Sequence, residues 1–419
     1  MQVSQRYKTL YYFTESYPYG PSEQWKRNEL EVFRGYFERI VVVPLRFGNN
    51  RIARNLVEGV EYRAPLFADQ RSRSVPEKLR IQFSPGHSKD VLTEFVTSRS
   101  FLSLARIKDL RRFIYQVGML RENAAYREIL ATRSDPAAVF HFFWGIGSVD
   151  VLPFVDGFEA LRVCRFHGWD LYTERRPTGY IPFRDKLLDA LDLALPCSDH
   201  GAKYLKTRFP SSCKKIRTAR LGTLSKGRSP SVNDGTLRLL SCSAAAPVKR
   251  LDRLISALAG VRFPVSWTHV GDGELMAALK DQAAGLPENV SVQFVGSVAS
   301  EGVLDYFVGH PFDLFVNVSE MEGVPVSIME AFSAGIPVYA TAVGGTPEIV
   351  DGAVGKVLAP DISPEELARE LTAFHELPAA RREELREAAF SRYEERCNAH
   401  TNARFLAELI ANSRSANRG

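Results

Sequence analysis

At 419 residues the chain exceeds what one ordinary hydrophobic core holds, so two domains are expected. Hydrophobic residues make up 45% and charged residues 25%, the balance of a globular protein, and no run approaches the roughly 18 apolar residues that a membrane-spanning helix needs. The net charge of +5 suits an anionic ligand or surface and comes with no nucleic-acid motif, while the scattered cysteines Cys164, Cys197, Cys213, Cys242 and Cys397 form neither a disulfide framework nor a zinc spacing. The first residues lack an apolar signal region, which makes the cytoplasm the expected compartment.

The chain opens with a strand over Tyr7–Phe13, a turn-rich loop over Ser16–Ser22, an amphipathic helix from Ser22 to Gly35 and a second strand over Arg39–Pro44. Residues 46–135 mix polar loops with basic helical stretches and yield no topology. Within them Leu104–Tyr115 is a basic amphipathic segment. Helical spacing puts Ile107, Leu110 and Ile114 on one face and most of Arg106, Lys108, Arg111 and Arg112 elsewhere. This pattern fits an anionic lipid surface or a solvated helix packed on the first domain. Further strands are read at Ala137–Trp144, Ala160–Phe166 and Leu191–Ser198, with a helix over Asp199–Arg208.

Residues 223–236 are rich in Ser, Gly, Lys and Asn and read as an exposed linker. A second strand–helix alternation then begins at Leu237–Cys242 and continues through Val265–Val270, Val290–Val295 and Phe312–Val318. Strands alternating with helices imply parallel sheets. The last helical stretch covers Phe390–Ala411.

The most informative segment is 319–348. Glu322 precedes Gly323, Val324 and Pro325, and Pro325 has its φ preset for a helix start. The helix is expected over Pro325–Ala334, with Glu330 inside it and Gly335 as its left-handed stop. Glu322 and the amides of Gly323 and Val324 thereby face the positive end of a helix, where a diphosphate is favoured. Ile336–Thr341 is a short strand, Gly344 and Gly345 allow close backbone approach, and Pro347–Val350 starts another helix. Both loops lie at carboxyl ends of strands, where open α/β sheets bind ligands.

In this order, the Glu-Gly-x-Pro start, the Ala-x-x-Ala-Gly-x-Pro stop and the Gly-Gly-x-x-Glu loop resemble the donor-site signature of the retaining GT-B glycosyltransferases of family four, also called glycosyl transferases group 1. The resemblance covers nearly the whole chain. It is strongest over 237–360 and weaker over 46–135. It implies an α/β GT-B fold, with two Rossmann-like doubly wound domains facing each other across a cleft. The expected division is an acceptor domain at 1–225, a donor domain at 236–388 and a helix at 389–412 that crosses back to the first domain.

The same resemblance implies roles for individual residues. Glu330 would hold the ribose hydroxyls, and Glu322 with Gly323 and Val324 would position the sugar and phosphate. Lys249 would stabilise the leaving diphosphate, with the Gly344–Gly345 loop near the donor. His167, in the run Arg165–Tyr172, would support the reacting sugar, and the acceptor would attack from the face that the diphosphate leaves. The nucleotide sugar is a substrate, so no cofactor is expected. The acceptor would be a glycan or lipid-linked molecule, and the setting cell-surface polysaccharide synthesis with a peripheral membrane contact.

Other residues complete the expected site. Many relatives carry Gly-Arg where this chain has Ser243-Ala244, which removes one positive charge from the diphosphate, and Arg250 is the candidate replacement. Gly271 belongs to a Gly-x-Gly whose third glycine is absent, and it reads as a tight loop lining the base pocket. Gly20 and Glu23 occupy the place of the family's first glycine loop, which approaches phosphate or acceptor. His141 precedes a glycine loop in the same way, whereas His269 sits in an apolar strand as a structural residue. The expected strand ends carry no Asp-x-Asp, so catalysis without a metal is expected. Two rival readings stay open. One is a sugar-nucleotide epimerase on the same fold, and the other a non-catalytic partner subunit, favoured by the missing charge at Ala244 and the single glycine of the first loop.

Overall fold

The structure is a computed structural model that describes residues 7–20, 23–48, 51–68, 74–82 and 88–413. It separates into two compact units, one formed by residues 1–219 with 403–419 and the other by 220–402. Among the described residues no helix is long and apolar enough to cross a membrane.

In the first unit, β1 (Thr9–Thr14), β2 (Arg39–Pro44), β3 (Glu61–Tyr62), β4 (Ala138–Phe142), β5 (Leu161–Phe166) and β6 (Leu193–Pro196) form one sheet in the order β3-β2-β1-β4-β5-β6. Every pairing is parallel. The inner strands are apolar on both faces because helices cover both. Leu10, Tyr12, Phe13, Val41, Val42, Val139 and Phe140 are all buried. The helices are α1 (Lys26–Phe33), α2 (Val75–Gln82), α3 (Ser88–Thr97), α4 (Leu104–Glu122), α5 (Ala124–Ala131), α6 (Gly168–Leu171), α7 (Arg184–Ala190) and α8 (Asp199–Arg208). One charged side chain runs into this interior. Arg165 of β5 is wholly buried, pairs with Glu29 and donates to the Ala219 carbonyl at 2.9 Å. Glu29 also accepts the Tyr12 hydroxyl at 2.7 Å, so both oxygens of the buried carboxylate are engaged.

The second unit repeats the plan. Strands β7 (Leu237–Cys242), β8 (Val265–Val270), β9 (Val290–Gly296), β10 (Leu314–Asn317), β11 (Val338–Thr341) and β12 (Gly355–Leu358) form a parallel sheet in the order β12-β11-β10-β7-β8-β9. The helices α9 (Leu251–Leu258), α10 (Met276–Ala283), α11 (Ser300–Gly309), α12 (Val326–Ser333), α13 (Pro364–His375) and α14 (Ala379–Arg392) follow their strands, and α15 (Ala399–Asn412) closes the described chain. In both sheets the strand order reverses next to the first strand of the unit, between β1 and β4 and between β7 and β10. Those reversals open the crevices where doubly wound folds bind ligands.

Several expectations change. The first helix starts at Lys26 because Glu23 turns its carboxylate back onto the amides of Ser16 and Tyr17, at 2.6 and 2.8 Å; Ser22 lies outside the described residues. The untraced stretch 46–135 supplies the edge strand β3 and four helices, α2 to α5. Segment 223–236 is no free linker. The Ser229 carbonyl accepts from Arg386, the Ser229 hydroxyl donates to the His310 carbonyl at 2.8 Å, and Ser225 donates to the Ser333 carbonyl at 2.8 Å. Its many polar side chains strap it to the second unit. The final helical stretch is also interrupted. A π-helical turn covers Tyr393–Cys397. The chain then extends so that Thr223 donates to the Cys397 carbonyl at 2.8 Å and accepts from the Ala399 amide at 2.9 Å. The Asn398 side chain restarts the helix by accepting from the amides of His400 and Thr401. Residues from Ala403 onward belong to the first unit, and the boundary near Ala219 precedes the expected one at 225. Pro347–Val350, read as a helix start, is a 3₁₀ turn over Thr346–Glu348.

Candidate active site

The loops after β7 and β10 meet at the reversal of the second sheet. The first carries Lys249 at the end of a 3₁₀ turn, Pro247–Lys249, and the second carries Glu322. They are tied together by the Glu320 amide, which donates to the Val248 carbonyl at 2.8 Å. Lys249 Nζ then lies 2.6 Å from Glu322 Oε1. Asn317 Nδ2 approaches the same oxygen at 3.4 Å from the end of β10. Glu322 is thus a buried carboxylate beside an ammonium and an amide, a geometry that holds both charges while its other oxygen accepts no hydrogen bond among the described residues. Asn317 was not singled out from sequence; its position as the last residue of an apolar strand is the signal that marks it.

Two glycines let a third loop close on this pair. Gly344 has φ +57°, and a Cβ there would sit 2.0 Å from the Glu322 carbonyl oxygen. The Gly345 amide donates to the Gly323 carbonyl at 2.6 Å. No residue but glycine accommodates that approach at 344 without moving the loop. The amides of Gly323 and Val324 donate to no protein acceptor among the described residues. They stand just before α12, whose N-cap is Pro325 instead of the first helical position expected for it. Unpaired amides at the head of a helix form a cradle for an anion.

Glu330 lies in the second turn of α12. The residue is half-buried, and burial of its carboxyl pushes it up to about 8. At neutral pH it is mostly a neutral acid, able to donate as well as accept. Cys242, at the end of β7, is raised by burial and then by the nearby Glu330, while Lys249 acts in the opposite direction. The groups from the ends of β7 and from α12 therefore share one neighbourhood.

Arg250 needs a correction. Its guanidinium donates to the carbonyls of Val318 at 2.8 Å, Ser319 at 3.0 Å and Pro360 at 2.6 Å. Those bonds brace the β10 loop, so Arg250 does not replace the charge missing at Ala244. Gly271 has φ +137°, and a Cβ there would lie 1.8 Å from the Ser243 carbonyl oxygen. It seats the loop after β8 against the loop after β7. His269 shares the Ser241 hydroxyl with Trp267, both at 2.9 Å, and burial lowers its pKa to about 4, as befits a structural residue.

In the first unit, the loops after β1 and β4 meet at the other reversal. Glu23 is buried and saturated: it accepts from the amides of Ser16 and Tyr17, from Lys26 and from Trp144 Nε1 at 2.7 Å. It is a clamp that fixes Trp144 and not a ligand contact. Gly20 is also closed in; a Cβ on the facing Gly48 would meet the Tyr19 carbonyl at 2.6 Å. His141 is completely buried beside Tyr12, with ring centroids 5.1 Å apart, and burial lowers its pKa. A side chain enclosed by the core has no path to a ligand, which corrects the role given to it.

His167 is different. It caps α6, stacks on Phe143 at 4.6 Å and leans on Trp144 at 4.5 Å. Its Nδ1 is 3.8 Å from Asp170, too far for a hydrogen bond, and among the described residues neither ring nitrogen makes one. Burial lowers its pKa, with Asp170 pulling the other way. Beside it a pocket of about 560 Å³ opens, lined by Trp144, Trp169, Arg112, Arg176, Gln116 and Asp150 among others. Burial pushes Asp150 up to about 7, although it accepts from the Gly147 amide at 3.0 Å and from Gln116 at 2.9 Å. Sequence reasoning missed this pocket because its walls come from five separate stretches of chain, one of them α4 in the untraced region.

Comparisons with known proteins agree with this architecture. Residues 226–392 match the family described as glycosyl transferases group 1. Over 224 residues the chain is 29% identical to the putative colanic acid biosynthesis glycosyltransferase WcaL of Salmonella typhimurium, covering 50% of this chain and 54% of that protein. It is 26% identical to the amylovoran biosynthesis glycosyltransferase AmsK of Erwinia amylovora over 67% of this chain and 72% of the relative. The chain thus spans about half the length of WcaL, 54%. Among solved structures, sucrose-phosphate synthase from Thermosynechococcus elongatus has a TM-score of 0.69 at 15% identity, covering 96% of this chain and 98% of that one. HepE of Anabaena, solved with UDP and glucose, has a TM-score of 0.62 at 18% identity, covering 96% and 99%. These likenesses establish the architecture that the two repeated sheets display. The chain has the two-domain GT-B fold, and the stretch that matches the glycosyl transferases group 1 family lies within its second unit.

Proposed function

We propose that the protein transfers a sugar from a nucleotide-diphosphate-sugar donor to a glycan or lipid-linked acceptor, with retention of configuration, in the cytoplasmic synthesis of a surface polysaccharide. The observation that carries this reading is the Lys249–Glu322 pair, 2.6 Å apart at the reversal of the second sheet, beside the unpaired amides of Gly323 and Val324. The amides and Lys249 supply positive potential for a diphosphate, and the charge on the leaving group grows as its bond to the sugar breaks. Glu322 takes the hydroxyls of the transferred sugar. Glu330, held neutral by burial, takes the ribose diol.

The first unit is assigned to the acceptor. Trp144 and Trp169 offer flat apolar faces to a sugar ring, and the polar lining of the pocket offers hydrogen bonds. The likeness to WcaL and AmsK, a putative colanic acid and an amylovoran biosynthesis glycosyltransferase, supports the pathway class. With Lys249 beside the leaving group, turnover is expected to continue in a chelator. The test is to incubate the protein with a panel of sugar nucleotides and acceptors, to measure released nucleoside diphosphate and to read the anomeric configuration of the product by NMR. An inverted product would overturn retention. No nucleotide release across the panel, despite tight donor binding, would favour a non-catalytic subunit.

A further inference from the structure

The apolar stripe expected on α4 is spent inside the first unit: Leu110 is buried with Tyr180 and Phe183, and Ile114 packs on the same cluster. A neighbouring face of the helix turns to the pocket. Asp109, Arg112 and Gln116 are spaced i, i+3, i+7, so they share one side of α4. All three line the pocket of about 560 Å³ that also holds Trp144 and Trp169. The acceptor is proposed to enter there, and the charges on the wall select the kind of sugar that fits.

The carboxylates of the pocket are already engaged. Glu15 pairs with Arg46 at 2.7 Å, Asp109 accepts the Thr178 hydroxyl at 2.7 Å, and Asp150 accepts from the Gly147 amide at 3.0 Å and from Gln116 at 2.9 Å. Two guanidiniums on the same wall are not. Neither Arg112 nor Arg176 makes an ion pair or a side-chain hydrogen bond among the described residues. Arg112 is exposed, whereas Arg176 is half-buried and its Nε is shielded from water. The guanidinium carbon of Arg176 lies 4.5 Å from the centre of the Trp169 ring. That contact uses a flat face of the guanidinium and leaves its N–H edge for a ligand. A further cation stands behind the pocket loop. Arg184 is buried and donates to the Asp170 carbonyl at 2.6 Å, but its Nε and Nη1 have no partner among the described residues. A Cβ on Gly145, in the loop that carries Trp144 and Ile146, would lie 3.0 Å from that Nη1. Burial and then Arg184 lower the pKa of Arg176, while Asp170, Asp109 and Asp150 act in the opposite direction. Positive charge is thus crowded at this wall, and an anion would relieve it.

We propose that the acceptor is an acidic saccharide of the uronate type, whose carboxylate takes the N–H edge of Arg176 and the guanidinium of Arg112 while its ring lies against Trp144. The inference rests on the reading of this pocket as the acceptor site and adds the charge of the acceptor to it. Trp144 is a fixed surface for the ring, because Glu23 accepts from its Nε1 at 2.7 Å. A planar carboxylate matches the guanidinium fork with two parallel hydrogen bonds, which a sugar hydroxyl does not supply. A neutral sugar in the same place would leave the N–H groups of Arg176 unpaired, and that penalty turns affinity into selectivity.

The test is a ligand-observed NMR titration of the full chain with methyl glucuronide, methyl glucoside and the phosphorylated methyl glucoside. The glucuronide should bind at least about tenfold more tightly than the glucoside. Arg176→Gln should abolish that preference, and Arg176→Lys should keep only part of it, because an ammonium lacks the planar fork. Arg112→Gln should reduce the preference less than Arg176→Gln does. Nucleoside diphosphate binding should be unchanged in these variants, which reports an intact fold. Equal affinity for glucuronide and glucoside, tighter binding of the phosphate than of the carboxylate, or a preference that survives Arg176→Gln would overturn the proposal and leave the acceptor reading of the pocket standing. Failure of all three saccharides to bind, or binding that Trp144→Ala does not weaken, would overturn both.

Discussion

The two sheets have the same parallel strand order, and each places two loops at its reversal, yet the loops have opposite character. In the second unit they keep groups available: the half-buried Lys249 pairs with the buried Glu322, and the amides of Gly323 and Val324 have no protein acceptor among the described residues. In the first unit the equivalent loops are closed by their own chemistry. Glu23 collects donors from Ser16, Tyr17, Lys26 and Trp144, and aromatic rings surround His167. Topology therefore decides where a ligand arrives, and the loop residues decide whether it meets polar charge or flat apolar surface. A diphosphate suits the first kind of loop and a sugar ring suits the second.

The largest expected effect breaks the charged side of this contrast. Glu322→Gln keeps the shape but removes the ion pair with Lys249, and the rate of nucleoside diphosphate release should fall by about 10³-fold or more while circular dichroism is unchanged. Full activity in that variant would sink the role given to Glu322. Next, Gly344→Ala places a Cβ against the Glu322 carbonyl at 2.0 Å, on a residue with φ +57°. It should cost about 2–4 kcal/mol of stability by denaturant unfolding and displace the loop that seats Glu322.

A smaller effect sharpens the aromatic side. Trp144→Ala should raise the acceptor KM by about tenfold, equal to about 1.4 kcal/mol, and leave donor hydrolysis unchanged. A loss confined to donor binding would reverse the assignment of the two units. The smallest effect concerns pH. The folded protein holds a proton on Glu330 with a pKa of about 8, above its ordinary value of 4.5. Between those two values the unfolded chain has released that proton and the folded one has not. Stability from this group is therefore complete below the ordinary value and is lost as pH rises through the folded one. The slope approaches 1.4 kcal/mol, or about that, per pH unit, and Glu330→Gln should flatten it in unfolding curves recorded across the window.

Much of the fold was legible from local pattern. Strands such as Arg39–Pro44, Leu237–Cys242 and Val265–Val270 were read with their observed bounds, because short apolar-rich runs between helical stretches suit a covered parallel sheet. The loop around Glu322 was legible too, since Pro325 and Gly335 bracket a helix by backbone constraint alone. Residues 46–135 were not, because their helices α4 and α5 reach the core through Val117, Leu120, Tyr126, Ile129 and Leu130 and pack on one another, contacts that no local pattern announces. The fates of Glu23, His141 and Arg250 were hidden for a different reason. Each is a residue type capable of binding a ligand, and each is held by neighbours distant in sequence: Trp144 for Glu23, Tyr12 for His141 and Pro360 for Arg250.

The amino-acid order alone determined two α/β alternations, the glycines and prolines that shape the donor loops, and the types of charge those loops carry. These follow from φ preferences and hydrophobic periodicity, which act over a few residues. Only the tertiary structure decided which polar groups stay open and which become internal clamps, and which walls meet to form the first unit's pocket. Those outcomes depend on desolvation and on partners far along the chain, which no local pattern encodes.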